Sequence, residues 1–357
     1  MPFDPQIPFD DLPLLAAASI SDADFASGLI EARAALARLD AAVQYAPFAD
    51  ILCQSIPLVE ARTSSAIENI VTTQDELFTA DFRLVSASSK NPLALVGRYH
   101  NAMAIARQEL GKRPITMKLA QSICTEITGH DADLRRGDGT LLVSGSGAVV
   151  YTPPSNAAAL DRLISDWEAF INSSTLDPLL RMAIGHYQFE AIHPFYDGNG
   201  RTGRIINLLL LESAGLLHQP VLHLSRDIKA TSADYYSLLR STSSTGDYSA
   251  WVEYVLERIV QAAEAGLRQL DLLGHYIERV QRFRHPDLRN GPSEALLNGV
   301  LNRPYTKTAH VMATCEVSRP TATKWLDALV EGGVLDTVKM GREKYFTNRA
   351  ILKALYI

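Results

Sequence analysis

The chain has 357 residues, of which 47% are hydrophobic and 21% charged, with a net charge of −6. That length and composition exclude a disordered chain and suggest roughly two to three globular domains. The charge excludes a polybasic nucleic-acid or membrane binder over the whole chain, leaving only local basic patches. Cys53, Cys124 and Cys315 are far apart, odd in number and form no CxxC pair. A disulfide framework and a cysteine zinc site are therefore not expected, and a reducing, cytoplasmic setting is.

The start, Met1 to Pro5, has neither a basic nor an apolar leader region, so no signal peptide is expected. The segment 1–110 reads as an N-terminal helical region. Phe25 to Tyr45 is rich in Ala and Leu, and Ile56, Val59, Ile67 and Ile70 recur at helical spacing within 51–77. Asn69 to Thr73 marks a candidate end to that helix. A further helix over 94–110 should stop at Gly111. Residues 135–154 are rich in glycine around two β-prone pieces, Leu141 to Val143 and Val149 to Tyr151, which predicts a hairpin. Thr152 to Asn156 then closes the hairpin and opens a helix. Helical patterns fill 157–280, with Leu180, Ala183, Ile184, Tyr187 and Ala191 forming one apolar stripe. The run Ile205 to Leu211 is interrupted by Asn207 and ended by Glu212, well short of the ~18 residues that cross a bilayer. No membrane partner is expected. Pro286 and Asn290-Gly291-Pro292 read as a linker before a small domain over 293–357, which leaves 111–285 as the central domain.

The chemistry concentrates in His193-Pro194-Phe195-Tyr196-Asp197-Gly198-Asn199-Gly200-Arg201-Thr202-Gly203-Arg204. Pro194 cannot continue a helix and biases His193 away from helical dihedrals, which puts an imidazole at a loop mouth. Gly198 and Gly200 permit a tight turn and close approach of a ligand. The amides of 198–201 then open a helix whose positive end suits phosphate, with Arg201 and Arg204 adding charge. Asp197 is a hard oxygen ligand suited to Mg²⁺. Singly, a His-Pro is a helix end, a Gly-Asn-Gly a turn and two arginines a solvated face. Within twelve residues their concurrence fits phosphoryl or nucleotidyl transfer.

This stretch resembles the Fic motif, HPFxDGNGRxGR, at all ten fixed positions. The similarity extends through His186 to Ile192 upstream and Asp234-Tyr235-Tyr236 downstream, covering about 60–265. The hairpin resembles the family's target-positioning flap. No P-loop GxxxxGK[ST] is present. The resemblance implies a mainly α fold: a Fic helical-bundle core with a small β-hairpin flap. It also implies protein adenylylation, in which AMP passes from ATP, with Mg²⁺, to a Ser, Thr or Tyr hydroxyl of a target protein or of the chain itself. On that likeness His193 is the catalytic base. Asp197 holds the metal. Gly198, Asn199, Gly200, Arg201, Thr202, Gly203, Arg204, Tyr235 and Tyr236 bind ATP, and the flap residues Val143, Ser144 and Gly145 pair with target backbone. Phe195 anchors the loop. A homodimer is common in the resembling family.

Upstream, Ser64-Ser65-Ala66-Ile67-Glu68-Asn69 fits [ST]xxxE[GN], the inhibitory motif of Fic proteins. An inhibitory helix is expected over about 58–72. Ser64 and Glu68 are four apart and share a helix face. Glu68 should compete with the γ-phosphate of ATP for Arg204. Such a chain is autoinhibited, and in some relatives the same Glu supports AMP removal.

Residues 303–357 hold nine basic and five acidic side chains, a local charge of +4. A short helix over 306–314, a turn at Glu316-Val317 with Ser318 as N-cap, a helix over 319–331 and a two-stranded wing resemble a winged helix-turn-helix. Ser318, Arg319, Thr321, Thr323 and Lys324 should face outward. DNA binding through 293–357, with the core in a sensing role, is therefore the alternative function. His130, His186, the cysteines, Trp167, Trp251 and Trp325 read as packing residues.

Overall fold

The computed structural model describes the chain except residues 1–2, 11, 13–19, 80–90, 137–139, 144–146, 289–292 and 341–342. Fifteen α-helices dominate the described residues, and the sheets are small. In order the helices are α1 (Ala26–Tyr45), α2 (Asp50–Ile67), α3 (Gln74–Thr79), α4 (Pro92–Glu109), α5 (Met117–Thr128), α6 (Ala157–Ser173), α7 (Pro178–Ile192) and α8 (Asn199–Ser213). They continue as α9 (Leu224–Ala230), α10 (Ser232–Thr245), α11 (Ser249–Arg282), α12 (Glu294–Gly299), α13 (Thr308–Cys315), α14 (Arg319–Glu331) and α15 (Arg349–Leu355). The chain divides into two compact units. One comprises 1–40, 57–72 and 81–263; the other comprises 41–56, 73–80 and 264–357.

The larger unit is built around α7. Every described residue of this helix is buried except Pro178, Arg181 and Glu190, which are half-buried. Such a helix sits in a core instead of on a surface. Trp167 and Trp251 pack against it and donate their indole N–H groups to the carbonyls of Gly185 (2.9 Å) and Ala183 (2.7 Å), so neither ring is left unsatisfied. Asp177 caps the start of α7 on the amide of Leu179 (2.8 Å), ahead of Pro178. The hairpin is present as β1 (Leu142–Val143) and β2 (Val149–Tyr151), antiparallel, with Leu142 opposite Tyr151. Tyr151 is buried and donates its hydroxyl to the carbonyl of Ala191 (2.9 Å), which fixes the hairpin to the end of α7. Asn156 caps α6 as expected.

The apolar spacing over 51–77 is divided between two helices, with the break in the stretch marked by Asn69 to Thr73. The first ends at Ile67, short of the expected residue 72. Asn69 adopts the left-handed conformation (φ 61°), and the amide of Ile70 returns to the carbonyl of Ser65 at 3.0 Å. That is a Schellman-type stop, which periodicity does not reveal. Pro57 lies inside α2. Gly111 is left-handed (φ 80°) one residue beyond the cap of α4.

In the smaller unit, α13 and α14 are joined by a tight turn with Glu316 left-handed. A hairpin of β4 (Asp336–Met340) and β5 (Glu343–Thr347) follows. This is the helix-turn-helix and wing expected. A third strand, β3 (Tyr305–Thr306), completes the sheet in the order β3-β5-β4. It and α15 were not foreseen, since two residues carry no periodicity. The hydroxyl of Ser318 meets that of Thr321 (3.0 Å) and makes no cap bond to backbone. Ser318, Arg319, Thr323 and Lys324 are exposed, but Thr321 is half-buried. Trp325, Cys53 and Cys315 are half-buried instead of core, whereas Cys124 is fully buried.

Candidate active site

The turn between α7 and α8 gathers the expected residues. His193 caps α7 in the left-handed conformation (φ 50°, ψ 59°), with its amide donating to Phe189 (3.0 Å). Pro194 explains why the helix stops there. Phe195 is buried, and its backbone is held by Asn199 on both sides. The Phe195 amide donates to Asn199 Oδ1 (2.9 Å), and Asn199 Nδ2 donates to the Phe195 carbonyl (2.7 Å). Asn199 thus shapes the loop from within. Gly198, at φ 83°, is the N-cap of α8, a conformation that L side chains rarely adopt. At Gly200 an added Cβ would collide with the Glu68 carboxylate and sit 2.9 Å from Arg204 Nη1, so close approach requires glycine here. Thr202 is fully buried, and Gly203 packs toward Glu190 and His186 of α7.

Charge in the loop is arranged by burial. Asp197 projects outward with its side chain 66% exposed, and its Oδ1 accepts from the amide of Gly198 (2.6 Å). Arg201 is buried and reaches Asp197 Oδ1 through Nη2 (3.3 Å). Among the described residues, its Nε and Nη1 have no hydrogen-bond partner. Unmet guanidinium N–H groups at a helix start suit an anion. Arg204 is also buried, and its Nε and Nη2 are engaged. Nε donates to Ser64 Oγ (2.7 Å), and Nη2 donates to the Ser64 carbonyl (2.9 Å) and to Glu68 Oε1 (2.9 Å). Glu68 occupies the cap position one residue beyond α2, so the brake motif and Arg204 do meet, through a turn residue instead of a helical one.

His193 is half-buried, and burial, reinforced by the nearby Arg135 guanidinium, pushes its imidazole down to about 4. It is neutral at physiological pH and able to accept a proton. Beneath the loop lies a buried polar set. His186 Nε2 meets the Tyr235 hydroxyl at 2.9 Å, and burial pushes this imidazole down to about 3. Glu190, four residues on, is pushed up to about 8 by burial. His186 is thus a packed core histidine, as expected. Tyr235 is buried in the set with His186 and Trp251, while Tyr236 is 41% exposed. Of the flap residues, Val143 is exposed; Ser144 and Gly145 lie outside the described residues.

Two residues escaped sequence reasoning. Arg135, in a glycine-rich loop, is buried with its guanidinium on backbone carbonyls. Glu60, one helical turn before Ser64, is buried, and its carboxylate accepts from the amide of Ser225 (3.0 Å) and from its hydroxyl. This fastens α2 to the start of α9. The only signal for Glu60 was its spacing, four residues before Ser64 and eight before Glu68.

A helical bundle with an imidazole at a helix end, amides gathered at the next helix start and two buried arginines between them defines a Fic-type protein. Family models agree: Fic/DOC family N-terminal matches 26–108, Fic/DOC family matches 115–211, and the C-terminal domain of SoFic-like protein adenylyltransferase matches 277–351. The chain belongs to the Fic/DOC family. Among curated proteins it is similar to protein adenylyltransferase fic-1 of Caenorhabditis elegans, 36% identical over 29% of this chain and 20% of that protein. It is also similar to protein adenylyltransferase Fic of Drosophila willistoni, 30% identical over 46% of this chain and 30% of that protein. The chain thus spans less than a third of the length of these relatives. Among solved structures, a Fic family protein from Desulfovibrio desulfuricans shares the fold with a TM-score of 0.54 at 20% identity. The match covers 88% of this chain and 95% of that one. A Fic domain containing signaling protein from Bacteroides thetaiotaomicron gives 0.52 at 17% identity, covering 66% and 97%.

Proposed function

We propose that the chain is a protein adenylyltransferase that moves AMP from ATP to a hydroxyl of a target protein or of itself, and that it restrains itself through Glu68. The observation that carries this reading is a neutral His193 set beside the amide-rich start of α8, where the Nε and Nη1 of Arg201 have no partner among the described residues. His193 accepts the target hydroxyl proton while the oxygen bonds to the α-phosphorus. The bond from that phosphorus to the bridging oxygen breaks, and pyrophosphate leaves. The amides of Gly198, Asn199 and Gly200, with Arg201, bind the phosphates. Arg204, once free of Glu68, holds the γ-phosphate. Exposed Asp197 suits Mg²⁺, which takes one or two carboxylates together with substrate phosphates and would there neutralise phosphate charge. Tyr236, half-open beside the site, is the better candidate of the two tyrosines for adenine; Tyr235 supports it from below. The proposed division of the chain is an N-terminal region with the brake to about residue 110, a Fic core over 111–285 and a winged-helix module over 293–357.

The test is transfer of label from α-labelled ATP with Mg²⁺ by the wild type, Glu68→Gly and Glu68→Gly/His193→Ala. Label should reach protein in the Glu68→Gly sample and fall by about 10²–10⁴-fold without His193. Equal labelling by wild type and Glu68→Gly would sink the brake. No label in any sample, with cell lysate offered as target, would sink the transferase reading and bring DNA binding by 293–357 forward.

A further inference from the structure

Arg135 stands at the entry to the β1–β2 hairpin, and Pro154 stands at its exit. The Arg135 side chain is buried, and its donors go to backbone carbonyls on both sides of the site. Nε donates to His193 (2.7 Å), and Nη2 donates to Ile192 (3.0 Å) and to Pro154 (2.9 Å). Its amide donates to the Pro194 carbonyl (2.8 Å), beside an antiparallel bridge between Leu134 and Phe195. The hairpin's two ends and the turn carrying His193 therefore meet at one guanidinium.

This arrangement answers a local need. The last carbonyls of α7 lack intrahelical partners, and the left-handed turn at His193 turns them out of the helix. A non-glycine residue in that conformation persists only where its surroundings hold it. Arg135 supplies the donors that do so. Its planar fork serves diverging carbonyls at once, which a lysine ammonium does not.

We propose that Arg135 is a positioning residue that sets His193 against the flap, so that a hydroxyl presented on the hairpin meets the imidazole. The inference rests on the reading of His193 as the base. Arg135 also faces the imidazole as a cation. The other charged groups facing it are Glu68, from the turn after α2, and Asp197, from the loop; on its own helix, the Glu190 backbone acts in the same direction as these two. These three favour the protonated ring, whereas Arg135 disfavours it. Neutralising Arg135 therefore raises the pH at which His193 protonates, while Arg135→Lys keeps the charge and loses the fork.

The experiment places Arg135→Lys and Arg135→Met in the full-length Glu68→Gly chain. Two readouts are used: label transferred from α-labelled ATP to the chain itself, and the NMR titration of His193 in ¹³C-histidine-labelled protein, assigned by His193→Ala. Both variants should lose about 10²-fold in transfer rate, as expected for a misplaced reacting group. KM for ATP should stay within about twofold, since the nucleotide's own contacts are intact. The His193 midpoint should rise in Arg135→Met and stay near the parent's in Arg135→Lys. Unchanged transfer in both variants, or an unmoved midpoint in Arg135→Met, would overturn the proposal. If the parent labels nothing, the base reading fails on its own, and the titration still decides whether Arg135 governs His193. If Arg135→Met does not fold, Arg135→Lys decides: lost transfer with a held midpoint supports the role, and full transfer refutes it.

Discussion

Arg201 and Arg204 are sunk at the start of α8, whereas Lys324 and Lys344 stand exposed on α14 and β5. The two groups of cations treat their neighbours differently. Among the described residues, the Nε and Nη1 of Arg201 have no partner, and Arg204 is met by a carboxylate from a motif 136 residues away. Lys324 pairs with Asp287 (2.8 Å), Lys344 with Asp327 (3.4 Å) and Arg349 with Asp336 (2.9 Å), and Lys307 pairs with Glu343. A buried, unmet guanidinium is costly unless a ligand completes it. An exposed ion pair contributes little either way. Four of the nine cations in 303–357 already face acids, which leaves fewer of them to grip phosphate. The loop has fewer cations, but they are buried, which under the proposed reading makes it the stronger anion site.

Substitutions separate the two regions. Arg201→Met should weaken ATP binding most, since a charged hydrogen bond contributes about 1.5–3 kcal/mol, roughly ten- to a hundredfold. Calorimetric titration of ATP into the Glu68→Gly chain measures this, and an unaltered affinity would break the contrast. Glu190→Gln probes the buried set under the loop. The Glu190 carboxyl is held near 8 in the folded chain, against 4.5 when free, so ionising it opposes folding. The raised value means that this contribution is fully present below pH 4.5 and is lost as pH rises toward 8. Glutamine never ionises, so the variant's melting temperature should gain on the wild type from about pH 5 to 8 and hold that gain above. A pH-independent difference would contradict the assignment. Lys324→Ala should matter least, shifting stability by about 0–1 kcal/mol. Duplex binding, if measurable, should show a shallow salt dependence. A steep salt slope that Lys324→Ala reduces would restore the DNA reading.

The loop was legible because its chemistry is contiguous. Twelve residues carry the imidazole, the carboxylate, the amides and both arginines, and the rules for Pro, Gly and helix starts act over that same range. The meeting of Ser64 and Glu68 with Arg204 was legible for a similar reason, since the two residues are one turn apart, and the stop at Asn69 falls at the edge of the 69–73 stretch that the sequence marked as a helix end. Helices announced themselves by period, whereas β3, two residues long, had none to show.

By itself the sequence determined the family motif, the mainly helical character, the hairpin and the two-helix module with its wing, because each is encoded by neighbours in the chain. Only the tertiary structure decided what burial and long-range pairing control. It sank Arg135 onto three backbone carbonyls, joined Glu60 to Ser225, and set Tyr235 inside and Tyr236 at the edge. It also gave the surface lysines their acidic partners. The physical reason is desolvation: whether a polar group is left wanting a ligand depends on what the fold packs around it.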